Sequence, residues 1–561
     1  MNAKLHLPPA LAGLVWLSGA FLYTACAHAQ KQHYETPDLV VGIIVDQMRP
    51  DYIYRYWDKY GDDGIRRLVN QGFSFRNASF RQLQTSTGPG HAAQMTGATP
   101  SVHGLIGNVW YDRKLRRTIN VIEDVESVYE GVGARPNYRG GKSPANMLTT
   151  TVGDELFLHT GERSRTVGIS RKDRAAILPA GHTGSAYWYE AATGNFITST
   201  FYHDELPDWL REFNDRNLHE KYLARVWEPL LPIEEYVESR ADENPYEGDV
   251  GGYSTFPIDL PRLVKEERYG PELLTSTPFG DELLLELAFA AIEGEELGKR
   301  GVPDIFTVGF SAADRLGHLF GPASKQVQDY YLRFDRYLAR LLDYLDEEFG
   351  TENVLVFLTA DHGGAYIPHY LRDLRITTGH PNTETHIDRS IGQAVSDYMM
   401  ESYGWNFLLS HSNHYLYLDH DFMDRDGLDH EKVRTDIKRF VLTLDPVAGA
   451  ITADALNNAE FTEGIRARAQ HSFHQKRSGD VAVWLKPQTR PDTGTGGTGH
   501  GTGWVYDTHV PLIFYGYDIP YGQSAAPAHV SDIAPTLSLY LNSPFPSGNI
   551  GNPLNDHMKR E

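Results

Sequence analysis

The stretch Leu39–Val45, LVVGIIV, decides the fold class of this chain. It is an unbroken apolar run rich in β-branched residues, which predicts a strand covered on both faces. The run ends abruptly at Asp46. Two further runs, Ile305–Phe310 and Val354–Leu358, have the same form and also lead into polar residues. We therefore expect several buried strands, each with polar side chains at its carboxyl end.

Helix-like segments lie between these strands. In Gln326–Glu348 the apolar residues recur at helical spacing, and Asp281–Leu297 has a similar pattern that stops at Gly298. The alternation of strands and helices predicts an α/β fold with a mostly parallel central sheet flanked by helices. Ligands of such sheets bind beyond the carboxyl ends of the strands. The polar residues at those ends should therefore meet in one crevice.

Three segments do not follow this alternation. Tyr187–Tyr202 has the pattern of a hairpin turning at Thr193–Gly194, Leu206–Pro278 is rich in proline and glutamate, and Ala365–Gly499 is irregular. We interpret all three as insertions that cover the crevice.

The N-terminus has the form of a secretory signal peptide. Lys4 precedes the apolar stretch Leu11–Leu22, and Ala27–Ala29 has the small-residue spacing of a cleavage site, which predicts cleavage before Gln30. The apolar stretch is short for a membrane span, although an uncleaved anchor is an alternative. No later segment is long and apolar enough to span a bilayer. The predicted organisation is a leader at residues 1–29 and one domain at 30–561, with insertions around 187–278 and 365–499.

The single cysteine, Cys26, lies inside this leader. The mature chain would therefore have no thiol for a disulfide, an iron–sulfur cluster or a nucleophile. Acylation of Cys26 in a lipoprotein is an alternative, but Tyr23 stands where such signals usually carry a leucine-like residue. The sequence favours a periplasmic or secreted protein.

The overall charge argues against polyanionic partners. The formal net charge is −22, so the chain lacks the basic surface that binds nucleic acid or anionic lipid. An acidic protein that acts on anions must concentrate positive charge locally, and bound metal ions would do this.

Carboxylate and imidazole side chains recur after the predicted strands. Asp361 and His362 are adjacent, and Asp314 and His318 stand four apart, which places them on one side of a helical turn. Such residues are typical zinc ligands. One pair alone would more often be a cap or a surface pair, but its repetition at strand ends, together with Asp46, favours a metal centre.

A run of small residues could present a nucleophile. The segment Thr85–His91, TSTGPGH, could place a hydroxyl in the site without steric obstruction. A hydroxyl attacks poorly at its free pKa, and coordination to a metal would activate it. From this segment alone, a Ser/Thr cap before a helix starting near Gly90 is an equally good interpretation.

Several longer motifs identify a family. The chain resembles the alkaline phosphatase superfamily, in particular the bacterial periplasmic, zinc-dependent phosphatases with a threonine nucleophile in the type I phosphodiesterase/nucleotide pyrophosphatase branch. The resemblance covers most of the mature chain. The motifs that carry it are VDQMRPDY at Asp46, TGPGHA at Thr87, HGLIGNVWYD, SRKDRAAILPAGH, YWYEAATGNFITSTFY, TPFGDELL, FSAADRLGHLFGP, LTADHGG and TGHGTGWVYDTHVPL.

The resemblance implies two zinc ions and their ligands. The first would be held by Asp46, Thr87, Asp361 and His362, and the second by Asp314, His318 and His500. One departure from the family pattern is Gly88, where relatives often have alanine, and this could loosen the nucleophile turn. Four other histidines in the motifs are interpreted as structural: His91, His103, His182 and His509.

The resemblance also implies the substrate contacts and the reaction. Asn108, Lys172 and Arg174 would contact the phosphoryl oxygens, and Lys and Arg there would favour the more highly charged monoester over a diester. Without the motif, Lys172 and Arg174 would be interpreted as a solvated charge cluster. We expect a monomeric alkaline phosphatase that hydrolyses small phosphate monoesters through a phosphothreonine on Thr87.

Two alternatives remain open at this stage. The first is a phosphodiesterase or nucleotide pyrophosphatase of the same superfamily, and the second is a secreted metal-binding protein without catalysis. Two other patterns are set aside. Gly494–Gly499 matches GxGxxG but lacks the flanking strand and helix of a dinucleotide site, and Asp419–Asp429 fails the register of a calcium loop.

Overall fold

The computed structural model describes residues 36–127, 129–136, 138, 141–266, 268–379, 387–489 and 497–558. The leader, Cys26 and the expected cleavage before Gln30 lie outside these residues. Among the described helices, none combines the length and the apolar character needed to cross a membrane.

The described chain contains strands from Leu39 to His529. Their bounds are β1 Leu39–Val45, β2 Phe73–Phe75, β3 Ala78–Ser79, β4 Val109–Asp112, β5 Arg117–Asn120, β6 Gly131–Val132, β7 Thr166–Ser170, β8 Ser185–Glu190, β9 Asn195–Ser199, β10 Val226–Trp227, β11 Ile258–Asp259, β12 Asp304–Phe310, β13 Val354–Thr359, β14 Leu408–Ser412, β15 Tyr415–Leu418, β16 Val447–Thr452, β17 Val481–Leu485, β18 Leu512–Gly516, β19 Gly522–Ser524 and β20 Ala528–His529.

Helices connect and cover these strands. Their bounds are α1 Asp51–Arg55, α2 Ile65–Gln71, α3 Thr87–Thr96, α4 Pro100–His103, α5 Val152–His159, α6 Asp173–Ala180, α7 Asp208–Asp215, α8 Leu218–Leu223, α9 Leu260–Lys265, α10 Pro278–Gly294, α11 Ala312–Phe320, α12 Lys325–Phe349, α13 Pro368–Asp373, α14 Ile387–Tyr403, α15 His420–Arg425, α16 His430–Val441, α17 Ala453–Asn458, α18 Gly464–Ser472, α19 Val505–Thr508 and α20 Ile533–Tyr540.

The central sheet has ten described strands in the order β19-β2-β18-β13-β1-β12-β7-β8-β9-β6. Its middle, β13-β1-β12-β7-β8, is parallel throughout, and β18 and β9 join it antiparallel on either side. Every residue of Leu39–Val45, Asp304–Phe310 and Val354–Thr359 is buried. The mostly parallel α/β sheet predicted from the sequence is therefore confirmed.

The bounds of the long helix α12 agree closely with the helix predicted for Gln326–Glu348. Ser324 caps its N-terminus by accepting a hydrogen bond from the Val327 N–H, and Gly350 ends it with a φ of +81°. The helix runs one residue beyond each predicted end. Helix α10 begins at Pro278 and ends at Gly294, three residues earlier than predicted at each end. The earlier start has a local cause, because proline suits the first helical position.

The hairpin expected at Tyr187–Tyr202 forms, but it extends the central sheet instead of lying outside the strand–helix alternation. Ser185–Glu190 pairs parallel with β7, and Asn195–Ser199 turns back antiparallel after Gly194, whose φ is +81°. The sequence pattern shows that two strands pair with each other, but not that the first also adds to an existing sheet edge. The hairpin therefore continues the sheet beyond β7.

The segment predicted to be irregular between Ala365 and Gly499 contains a second, smaller sheet. Its four strands have the order β14-β15-β17-β16 and are antiparallel. Apolar residues of α14, α16 and this sheet form a core of their own, including Val395, Ile437, Leu416 and Val483. The described residues 387–489 thus contain helices and a sheet with a hydrophobic core of their own.

Candidate active site and metal centre

The carboxyl ends of the parallel strands bring the predicted polar residues together. Asp46 follows β1, Lys172 follows β7, and Asp361 and His362 follow β13. Asp314 lies in the first turn of α11, directly after β12. These strands are neighbours in the sheet, so a single crevice collects their side chains, as expected for an open α/β sheet.

Three histidines, His318, His362 and His500, direct their Nε2 atoms into this crevice, because in each ring the other nitrogen, Nδ1, contacts a backbone carbonyl. Their Nδ1 atoms lie 2.8 Å from Thr498 O for His318, 2.8 Å from Thr85 O for His500, and 2.9 Å from Gly363 O for His362. A carbonyl oxygen only accepts, so each Nδ1 carries a proton, and in the neutral imidazole each Nε2 keeps a lone pair for a metal ion. Metal-binding histidines are oriented in this way.

The carboxylates meet these nitrogens at short range. Asp314 Oδ1 lies 3.1 Å from His318 Nε2 and 3.5 Å from His500 Nε2. In the same crevice, His362 Nε2 lies 3.4 Å from Asp46 Oδ1 and 3.5 Å from Asp361 Oδ2. The donor atoms are therefore close enough together to surround a small cation.

The burial of these groups supports metal binding. Asp46 Oδ1, Asp361 Oδ2 and His362 Nε2 are buried and have no hydrogen-bond partner among the described residues. Unsatisfied buried polar atoms are costly and rare in folded proteins. A bound metal ion would satisfy all three, so the residues present fit a metal centre.

The described residues form two candidate metal-ligand groups. One contains Asp314, His318 and His500, as predicted, and the other contains Asp46, Asp314 and His362. Asp314 belongs to both groups. The placement of Asp361 with Asp46 and His362 therefore rests on the family resemblance and on its 3.5 Å approach to His362 Nε2.

Lys172 supplies positive charge between the two groups. Its Nζ lies 2.7 Å from Asp46 Oδ2, 2.6 Å from Asp314 Oδ2 and 3.5 Å from Thr87 Oγ1. Burial lowers the pKa of Lys172, but Asp314 and Asp46 raise it above its ordinary value. The ammonium therefore stays charged beside the hydroxyl of Thr87, and the interpretation of Lys172 as a solvated surface charge is wrong.

The pKa values of the buried aspartates Asp361 and Asp314 are shifted in opposite directions. Burial raises the pKa of Asp361, and the neighbouring Asp46 carboxylate raises it further. Burial also raises the pKa of Asp314, but His318 and Lys172 outweigh it and hold that pKa well below its ordinary value. The site therefore keeps Asp314 ionised and makes ionisation of Asp361 depend on added positive charge.

Thr87 is the first residue of α3, so the helix begins at the predicted nucleophile and not near Gly90. Thr87 is 1% exposed. The next residue, Gly88, donates its backbone N–H to Asn108 Oδ1 at 2.7 Å. A Cβ at Gly88 would lie 3.2 Å from that oxygen. Asn108 thus uses its acceptor atom to hold the helix start and keeps its Nδ2 group as a donor.

Arg174 lies in the first turn of α6, whose N-cap is Lys172. Its side chain is 24% exposed, and its Nη1 lies 3.7 Å from Asp173 Oδ1. Helix α6 packs against α3, so the first turn that carries Thr87 and the one that carries Arg174 belong to packed helices. Helix N-termini attract anions such as phosphate.

A cavity opens beside Lys172. It has a volume of about 490 Å³, and the β8–β9 hairpin contributes Trp188, Tyr189 and Glu190 to its lining, while Arg135 and Tyr138 come from another segment. The hairpin therefore borders this cavity beside Lys172, although it does so as part of the sheet.

The four remaining motif histidines have contacts that fit a structural role. His103 is fully buried, and burial together with Arg477 lowers its pKa to about 3. His182 Nδ1 lies 3.1 Å from Asp154 Oδ2, and His509 Nε2 lies 3.1 Å from Arg76 O. His91 Nδ1 contacts Thr87 O at 2.9 Å within α3. Of Gly494–Gly499, residues 494–496 lie outside the described residues.

Sequence reasoning missed several buried residues that surround the site. Arg171 donates from Nη2 to Ser311 O at 2.7 Å, and Asp281 Oδ2 accepts the Ala312 N–H at 3.0 Å. Both contacts fix the start of α11, which carries Asp314. A third residue, Gln47, contacts Asp361 and Asp314, both of which are predicted metal ligands. All three lie inside quoted motifs, which was the available signal.

Comparison with known proteins identifies the family. The family model described as type I phosphodiesterase / nucleotide pyrophosphatase matches residues 40–511. The alkaline phosphatase PafA of Elizabethkingia meningoseptica is 37% identical over 97% of this chain and 99% of its own. The alkaline phosphatase PhoV of Synechococcus elongatus has the same identity and the same coverage. A Myroides odoratus protein named a calcium-transporting ATPase is 36% identical over 94% of this chain and 95% of its own.

Solved structures agree with the sequence comparison. The crystal structure of wild-type PafA superposes with a TM-score of 0.88, covering 93% of this chain and 99% of that one. A PafA variant substituted at a threonine, an asparagine, and a lysine and an arginine two positions apart superposes with a TM-score of 0.87. The chain therefore belongs to the type I phosphodiesterase / nucleotide pyrophosphatase family, within the alkaline phosphatase superfamily.

Proposed function

We propose that this chain is an alkaline phosphatase that hydrolyses phosphate monoesters through a covalent phosphothreonine. The observation that carries the proposal is the convergence of Thr87 Oγ1 and Lys172 Nζ, 3.5 Å apart, with the oriented Nε2 atoms of three histidines. Two relatives named alkaline phosphatases, similar over nearly the full chain, support the same activity.

Two zinc ions would complete the site. Asp46, Thr87, Asp361 and His362 would hold one, and Asp314, His318 and His500 the other. Bound there, the ions would lower the pKa of the threonine hydroxyl and of a water molecule and neutralise charge that develops on oxygen. The nitrogen- and carboxylate-rich donor set suits zinc.

The reaction proceeds in two displacements at phosphorus. In the first, Thr87 Oγ1 gives up its proton and forms a bond to phosphorus as the bond to the alcohol oxygen breaks, and the alcohol leaves with a proton in place of the one that Thr87 lost. In the second, the oxygen of a water molecule attacks the phosphothreonine, the bond from phosphorus to Thr87 Oγ1 breaks, Thr87 Oγ1 regains a proton at the expense of that water, and inorganic phosphate forms. Lys172, Arg174 and the Asn108 amide stabilise the non-bridging oxygens, each worth on the order of a few kcal/mol in the transition state.

Lys172 and Arg174 favour monoesters over diesters. A monoester dianion presents more unshared charge than a diester, and both cations stand at the start of α6 beside the nucleophile helix. The residue types substituted in the PafA variant have the same order as Thr87, Asn108, Lys172 and Arg174, and its lysine and arginine are likewise two positions apart. This correspondence supports the assignment of all four residues.

The ATPase name of the Myroides odoratus relative is compatible with this chemistry. The terminal phosphoryl group of ATP carries the unshared charge of a monoester, so an enzyme of the proposed kind would also release phosphate from ATP. We further propose that the protein is a monomer, and that it is exported with cleavage before Gln30 to the periplasm or medium.

One experiment tests these assignments together. Purified protein is stripped with a chelator, reloaded with zinc, analysed for metal content and assayed with a chromogenic monoester, a matched diester and ATP. We expect about two zinc ions per chain, inactivity without metal, and monoester hydrolysis well above diester hydrolysis. Undiminished activity in metal-free protein would refute the mechanism. Faster diester hydrolysis would favour the phosphodiesterase, and zinc binding without hydrolysis the non-catalytic protein.

A further inference from the structure

Gln47 is buried at the centre of the proposed metal site but belongs to neither ligand group. It follows Asp46 directly and is 3% exposed. Its backbone N–H donates to Asp361 Oδ1 at 3.2 Å, and its side-chain Nε2 donates to Asp314 Oδ1 at 2.9 Å. One residue therefore contacts a predicted ligand of each zinc ion.

The identity of the donor atom follows from chemistry. A carboxylate oxygen accepts hydrogen bonds and cannot donate them, so the Gln47 atom that faces Asp314 Oδ1 must be the NH₂ group. The same Asp314 oxygen faces His318 and His500. The amide thus contacts the carboxylate oxygen that points toward the metal-ligand histidines.

The backbone of Gln47 adopts a conformation that is rare for this residue type. Its φ is +62°, in the left-handed region that non-glycine residues seldom occupy. Such backbone conformations cluster at functional sites. With this conformation the N–H points to Asp361 while the side chain reaches Asp314, so both contacts come from consecutive parts of one residue.

Two glycines make room for the side chain. A Cβ on Gly317 would lie 1.8 Å from Gln47 Oε1, and a Cβ on Gly364 would lie 2.9 Å from its Cγ. Apart from the glycines' own chain neighbours and helix backbone, the three heavy atoms nearest to each of these Cβ positions all belong to Gln47. Gly317 lies between the ligands Asp314 and His318, and Gly364 follows His362 by two positions. Both ligand segments therefore leave space for the same glutamine.

We infer that Gln47 is a positioning residue that orients Asp314 and Asp361 and so couples the two metal sites. The inference rests on the ligand set of the proposed function. Groups that hydrogen-bond to metal ligands fix their orientation, and their loss typically weakens metal binding about 10- to 100-fold. A side-chain substitution removes only the contact with Asp314, so it should weaken chiefly the ion held by Asp314, His318 and His500.

A matched pair of variants tests this inference. Gln47→Met keeps the length of the side chain but removes the donor. Gln328→Met is the control, because Gln328 is fully buried and donates to a carboxylate, Glu238 Oε2, at 2.6 Å without being near the metal ligands. Zinc affinity is measured by competition with a chromogenic chelator, and thermal unfolding verifies that both variants fold.

We expect Gln47→Met to bind one of its two zinc ions about 10- to 100-fold more weakly, and Gln328→Met to bind both like the wild type. Wild-type affinity for both ions in folded Gln47→Met would overturn the inference. Zinc affinity is measured without substrate, so a chain that binds zinc in this Gln47-dependent way but does not hydrolyse monoesters would refute the proposed function alone.

A second comparison does not require Gln47→Met to fold. Gly317→Ala should weaken zinc binding in the wild-type background, because its methyl group would collide with Gln47 Oε1. In a Gln47→Ala background that oxygen is absent, so the same substitution should have a much smaller effect. Equal effects in both backgrounds would show that Gly317 acts independently of Gln47 and would overturn the inference.

Discussion

At the scale of single residues, the account depends most on the hydroxyl of Thr87. Thr87→Ala should lower kcat by at least about a thousandfold, because it removes both the attacking oxygen and a proposed metal ligand. Thr87→Ser keeps the oxygen and should retain substantial activity. The measurement is monoester turnover with saturating zinc. Ser86→Ala is the control, since Ser86 is equally buried and directly precedes Thr87. If Ser86→Ala lost activity and Thr87→Ala did not, Ser86 would be the nucleophile.

Lys172 and Arg174 carry the substrate preference at this scale. Replacing both by alanine should reduce kcat/KM for a monoester by about a hundredfold or more and leave a diester much less affected, because a diester lacks one of the charged oxygens. Parallel assays of the two substrates measure the ratio. Equal reductions for both would mean that the two cations do not discriminate between the substrates.

At the scale of elements, the segment around His500 holds one side of the site. Thr85 Oγ1 donates to Thr502 O, and the Thr85 carbonyl holds His500 Nδ1. His500→Ala should release the ion of the Asp314 group at least about 10- to 100-fold more readily than the other ion. Elemental analysis after graded chelation measures this difference. His509→Ala, in the same segment but bonded to Arg76 O, should lose neither ion, and equal loss of both ions from His500→Ala would contradict the ligand partition.

The segment between β10 and β11 contains a glutamate, Glu247, that should make the free energy of unfolding depend on pH. Burial, and then Asp242, raise the pKa of Glu247 to about 8. The folded protein therefore holds this proton more tightly than the unfolded chain, and the carboxyl costs stability as the pH rises from about 4.5 through 8. Glu247→Gln should gain on the order of 1 kcal/mol or more in unfolding free energy, relative to wild type, between pH 5 and pH 9.

Chemical unfolding at the two pH values measures this change. The exposed Glu234, substituted as Glu234→Gln, is the control and should show no comparable gain. If wild type and Glu247→Gln changed in parallel across this range, Glu247 would not hold a proton in the folded protein at neutral pH.

Some strands could be predicted from the sequence and others could not. Leu39–Val45 could be read as a central strand because it is covered on both faces, and such strands are continuous apolar runs. The hairpin Ser185–Ser199 could be predicted as two strands, but the pairing of its first strand with β7 is a contact between segments that no sequence pattern links. The antiparallel sheet within residues 408–485 was missed because its short strands lie among turns and helices.

In the molecule as a whole, the candidate site could be predicted because its residues follow the carboxyl ends of neighbouring parallel strands. Strand ends supply Asp46, Asp361 and His362, and neighbouring strands place them together without any long loop. These three predicted ligands therefore lie at the same edge of the sheet, and their assignment to one zinc ion stays a prediction. Side-chain directions within the site could not be predicted, because the contacts of Lys172 with two carboxylates and of Gln47 with two ligands depend on burial and not on spacing.

The proposed mechanism requires that Thr87 form a covalent bond to phosphorus. To test this, the zinc-loaded enzyme is mixed with a monoester and quenched in acid, and the phosphorylated peptide is mapped by mass spectrometry. The account predicts phosphate on Thr87, and none on that residue in the Thr87→Ala protein. Phosphate on Thr85 or Ser86, or turnover of the monoester in Thr87→Ala at near the wild-type rate, would contradict it.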